Sequence, residues 1–102
     1  MDYIENLKDA IRRMHGCASS HLFSQPVREI FRGKVVWEGV VEVFALAGHS
    51  QARRCYAWAH ASGAADEKTR FVAVLELPPV DSPLAAVRAA IVQQVREEGK
   101  RD

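Results

Sequence analysis

Apolar residues recur at helical spacing at the start of the chain, where Tyr3, Ile4, Leu7, Ala10, Ile11 and Met14 alternate with mostly charged or polar positions. This pattern predicts an amphipathic helix over residues 2–15, ended by Gly16. Residues 17–25 carry neither a helical nor a strand period; they are mostly small or polar and lead to Pro26, so they read as a loop. Beyond Pro26 the period changes to two. Residues 27–31 alternate loosely, Arg32-Gly33-Lys34 reads as a tight turn, and residues 35–46 are rich in β-branched and aromatic side chains. The prediction is a hairpin with one long arm. On that arm Val36, Glu38, Val40, Glu42 and Phe44 share one face, while Val35, Trp37, Val41 and Val43 share the other. The carboxylates then mark the wetter side, unless a bulge at Gly39 moves Trp37 across.

Residues 48–51 connect to a third strand over 53–61 whose two sides are segregated by size. Cys55, Ala57, Ala59 and Ala61 lie on one side, and Tyr56, Trp58 and His60 on the other. The small side invites close approach of a helix. Residues 62–69 read as a hairpin loop and 70–77 as a fourth strand stopped by Pro78-Pro79. The last element carries the clearest signals. Ser82 is a helix N-cap candidate, Pro83 suits the first helical position, Asp81 adds favourable charge, and Leu84, Val87, Ile91 and Val95 form an apolar stripe over residues 82–98. Ala85, Ala86, Ala89 and Ala90 flatten the helix and are expected to lie on the alanine side of the third strand. The order is α-β-β-β-β-α, an α+β fold with an antiparallel four-stranded meander, a single domain over residues 1–102. The most economical arrangement places both helices on one face of the sheet.

Composition narrows the function classes. The chain has 102 residues, 48% of them hydrophobic, enough for one core and too few for two. Its 14 basic and 13 acidic residues nearly cancel, so no global field draws it to nucleic acid or an anionic membrane. No apolar run is longer than that from Phe71 to Leu75, which is far shorter than a membrane span, and Asp2, Glu5, Lys8 and Asp9 stand where a signal peptide would be apolar. A soluble cytoplasmic protein without a membrane partner is expected. Cys17 and Cys55 form no Cys-x-x-Cys pair and read as buried thiols, not a disulfide.

Several segments resemble a group of small uncharacterised bacterial proteins of the kind carried in mobile gene cassettes. They are Val36 through Phe44, Gly48-His49, Tyr56-Ala57-Trp58, Pro78 through Pro83 and Ala86 through Ile91. The resemblance implies a bacterial protein and carries no activity and no functional residue. The element order is also similar to that of double-stranded RNA-binding domains, whose sheet is flanked by N- and C-terminal helices. Those domains grip phosphate with lysines at the start of the last helix, where this chain has Asp81-Ser82-Pro83-Leu84-Ala85, which argues against nucleic acid.

The candidate chemistry lies on the strands. Tyr56, Trp58 and His60, with Trp37, Glu38 and Glu42 on the preceding strand, are candidate ligand- or partner-binding residues. If both helices cover the alanine side, the aromatic side is left bare, and such a face binds something. The expectation is a non-catalytic module that forms a homodimer through its sheet or holds a small ligand. The glutamates favour a cationic or hydrogen-bond-donating one. An alternative is a small enzyme using Glu38 and Glu42 with His60 or His49 as acid and base, although no nucleophile elbow, phosphate loop or His-Glu-x-x-His is present. A second alternative is an RNA-binding module, which needs Arg12-Arg13, Arg53-Arg54, Arg28, Arg32 and Lys34 gathered into one stripe. His15, Cys17 and His21 lie near one another in the sequence but match no four-ligand zinc pattern, so neither metal nor cofactor is expected.

Overall fold

The computed structural model describes the backbone of residues 3–61 and 69–99, and the side chains of residues 3–59 and 70–93. Helix α1 spans Tyr3–His15, and strands β1 to β4 span Ala18–Phe31, Lys34–Ala47, Arg54–Ala61 and Thr69–Leu75. Helix α2 spans Pro83–Gly99. The strands form one antiparallel sheet in the order β1-β2-β3-β4, the meander expected from the sequence. The predicted loop at 62–69 falls mainly on residues outside the described ones.

Local signals act where they were read. Gly16 adopts a positive φ of 70° at the end of α1, a conformation that costs glycine little, and its N–H donates to the Arg12 carbonyl at 2.8 Å. Arg32 and Gly33 both have positive φ, 53° and 78°, between the paired residues Phe31 and Lys34. Two left-handed residues match the twist of the flanking strands. Ser82 Oγ accepts the Ala85 N–H at 3.1 Å, which satisfies one of the otherwise unpaired donors in the first turn of α2.

Two expectations are corrected. Residues 18–25 are strand, not loop, because β1 pairs with β2 along its whole length, from Ala18 opposite Ala47 to Phe31 opposite Lys34. Its edge position exposes most of its side chains, so the alternation that marks a half-buried strand is absent. Pro26 is tolerated there because an edge strand has one row of N–H groups without a ladder partner. The register shifts fall between His21 and Phe23 and between Glu29 and Ile30, so the irregularities are at Leu22 and Val36, and Gly39 pairs regularly with Val27. Trp37 therefore stays on the face of Val41 and Val43.

The helices lie on opposite faces, not on one. Leu7 and Ile11 of α1 pack with Cys17, Phe44, Cys55 and Ala57, the small side of β3. Ala86 and Val87 of α2 pack with Val27, Val41, Val43, Tyr56 and Trp58, the bulky side. Size complementarity accounts for this choice. Large side chains of α1 fill the space above cysteine and alanine, while Ala86, wholly buried, lets α2 approach the aromatic rings. Each fully buried aliphatic or aromatic side chain contributes about 1.5–3 kcal/mol by leaving water. Both thiols are free and buried, and burial pushes the Cys55 thiol up to about 12. Among the described residues no helix is long and apolar enough to cross a membrane.

Candidate functional site

The sheet splits at one place. β2 and β3 pair only from Glu42 opposite Ala57 to Ala45 opposite Arg54. Beyond Glu42, the β1–β2 hairpin continues in one direction while β3 follows β4 in another. The Arg53 carbonyl accepts the Leu46 N–H on the β2 side, and by alternation the Ala59 N–H also faces β2. At Ala59 the donor finds no strand. It donates instead to the hydroxyl of Tyr3 at 2.9 Å, so the first residue of α1 supplies the missing acceptor.

The split is a cleft of about 390 Å³ lined by Tyr3, Trp37, Glu38, Gly39, Val40, Glu42, Trp58 and Ala59. Residues of both sheet faces line it because no ladder separates them there. Trp37 and Trp58 come from the α2 face and meet edge to face, with ring centroids 5.7 Å apart and planes at 67°. The Trp37 indole folds back over Gly39, where a Cβ would stand 3.0 Å from its nearest ring carbon. Glycine leaves room for that close approach.

Glu42 supplies the buried charge-bearing group. It is 6% exposed, and an ionised carboxylate so placed needs hydrogen-bond donors to offset desolvation. Two donors converge on its Oε1: His21 Nε2 at 2.8 Å and the Ser24 hydroxyl. Ser24 stands directly opposite Glu42 in the ladder, and His21 packs edge-on to Phe44 with centroids 5.4 Å apart. Desolvation raises the Tyr3 phenol above its ordinary pKa and the Glu42 charge adds to the rise, while the Ala59 N–H opposes it. Tyr3 therefore keeps its proton at neutral pH and has a hydrogen to donate.

Four of the six residues singled out in the sequence, Trp37, Glu38, Glu42 and Trp58, thus converge on one cleft. Glu38 is exposed and held by Arg28 Nη2 at 2.6 Å. Tyr56 is not with them. It lies under α2 with its hydroxyl donating to Glu76, and burial followed by that hydrogen bond raises its pKa strongly. The side chain of His60 lies outside the described residues. The face expected to be bare is covered by α2, and Tyr56 and Trp58 are only 2% and 3% exposed. Burial of these rings answers the apolar excess that had argued for an external partner on that face.

The residues that sequence reasoning missed are Tyr3, His21 and Ser24. Tyr3 read as part of an amphipathic stripe, and the other two as loop. Recognising β1 as a strand would have set Ser24 opposite Glu42. His49, the other imidazole considered as an acid-base group, accepts the N–H groups of Gln51 and Ala52 at 3.1 and 2.9 Å and shapes the turn before β3. His15 donates to the Ala73 carbonyl at 2.9 Å on β4, and His21 turns to Glu42, so the residues weighed for zinc go to different places. Among the described residues no three His, Cys, Asp or Glu side chains gather as metal ligands. No family model, curated relative or solved structure matches this chain.

Proposed function

We propose that this protein is a non-catalytic binding domain that holds a small cationic or hydrogen-bond-donating ligand in the cleft between β2 and β3. The observation that carries the reading is the convergence on that cleft of a buried carboxylate, Glu42, with two indoles and the Tyr3 hydroxyl. A cation beside Glu42 gains charge-assisted hydrogen bonding in a partly desolvated site, and Trp37 and Trp58 add cation–π attraction worth about 0.5–2 kcal/mol. The cleft is at the lower end of the size range of small-molecule sites, which suits a ligand of few heavy atoms.

The Ser24, His21 and Glu42 cluster does not favour the enzyme reading. A serine nucleophile requires histidine between serine and acid, whereas here serine and histidine both donate to the same carboxylate oxygen. Serine held in that way has no imidazole to take its proton, and the carboxylate it faces is already shared with His21.

Both tryptophans of the chain line the cleft, so intrinsic fluorescence reads binding directly. Titration with choline, methylguanidinium and putrescine, with neutral propanediol as control, is expected to give a saturable change for a cation. Glu42→Gln should abolish it while retaining the native circular dichroism spectrum. Absence of a saturable change for every cation, or an undiminished one in a folded Glu42→Gln variant, sinks the reading.

A further inference from the structure

We propose that the tip of the β1–β2 hairpin docks into the surface of an anionic lipid bilayer. Strand β3 leaves β2 at Glu42, so the hairpin runs on as a two-stranded ribbon to its turn at Arg32 and Gly33. At the far end Ile30, Phe31, Val35 and Val36 are 54%, 60%, 52% and 48% exposed, a contiguous apolar group of the kind that marks an interaction site.

The distribution of these side chains selects the occupant. Ile30 is paired with Val35 on one face of the ribbon, and Phe31 with Lys34 on the other, so both faces present apolar groups. A flat protein surface covers one face of a ribbon; the boundary of a bilayer surrounds both. Charge points the same way. Arg28 is paired with Glu38, and Glu29 with Arg88 of α2, so the acidic groups nearest the tip are already matched. Arg32 and Lys34 remain at the turn, with the Arg32 guanidinium 5.2 Å from the centroid of the Phe31 ring. Apolar insertion combined with local cations is the two-part signal that holds a protein at an anionic interface.

The near-zero net charge of the whole chain supplies no such attraction, but this local concentration does. A second copy of the chain would bring four like charges together. Nucleic acid would engage only about two phosphates and leave the aliphatic side chains unused. The Glu29–Arg88 pair links the base of the arm to α2.

The test uses the full chain and sedimentation with vesicles of one part phosphatidylglycerol to two parts phosphatidylcholine, compared with phosphatidylcholine alone. Binding to the anionic vesicles is expected, weakened by added salt, and lowered about fivefold for each cation removed by Arg32→Gln or Lys34→Gln. Ile30→Ser with Phe31→Ser should abolish it. These positions lie outside the core, so thermal melts should leave the fold unchanged, and melts identify any variant that fails for want of folding. No partition into anionic vesicles, or equal partition by a folded Ile30→Ser/Phe31→Ser variant, overturns the proposal. So does Phe31-dependent self-association seen by light scattering without lipid, or binding of a single-stranded oligonucleotide that depends on Arg32 and Lys34 while vesicle binding does not.

Discussion

Replacing Trp58 with alanine tests the placement of α2 on the aromatic face. Trp58 is 3% exposed, packs among Val41, Val43, Ala86 and Val87, and meets Trp37 edge to face at 5.7 Å. Truncating such a residue costs about 3–5 kcal/mol, from lost transfer free energy and the void left behind, and the aromatic pair accounts for about 0.5–1.5 kcal/mol of this. A domain of this size has a total stability of about 5–15 kcal/mol, so the variant should lose a fifth of it at least and all of it at worst. Urea unfolding followed by far-ultraviolet circular dichroism is the appropriate assay, because fluorescence loses one of its two reporters. The unfolding midpoint should fall sharply, whereas Val36→Ala, on the exposed arm, should change stability by no more than about 0.5 kcal/mol. A Trp58→Ala variant within about 1 kcal/mol of the parent would mean that α2 does not seat on Trp58, and the opposite-face arrangement would be wrong.

Two further outcomes follow from particular contacts. Ser82→Ala removes the acceptor of the Ala85 N–H and should lower stability by about 1 kcal/mol, with Ser82→Gly milder; an unchanged urea midpoint would remove the capping role. The hydrogen bond from Arg88 holds the Glu29 carboxyl below its ordinary pKa, with burial opposing and the Arg88 charge adding. A depressed folded-state value means that the contribution is complete above the unfolded pKa and is lost as pH falls through the folded one. Thermal melts should therefore decline from about pH 5 downward, with a shallower decline in Glu29→Gln. Equal acid sensitivity in the two proteins would refute the link.

Element identity was legible in the chain because its determinants are local. A stripe at helical spacing, a glycine at a helix end and a serine before Pro83 each act within a few residues and are found in their expected roles, and the tight turn read at Arg32-Gly33-Lys34 is found one residue shorter, with Lys34 already in β2. The strand through residues 18–25 was not legible, because its stability comes from pairing with β2, not from any period of its own. The site was half legible for the same reason. Trp37, Glu38, Glu42 and Trp58 stood out by residue type, while Tyr3, His21 and Ser24 gain their roles from contacts 18 to 56 residues away along the chain. Which face each helix covers was decided only in three dimensions. The segregation of small and large side chains on β3 is plain in the sequence, but either face accepts a helix of complementary size. Bulky α1 settles over cysteine and alanine, and alanine-bearing α2 over tyrosine and tryptophan, because close packing rewards the sum of two facing volumes, and no single strand encodes that sum.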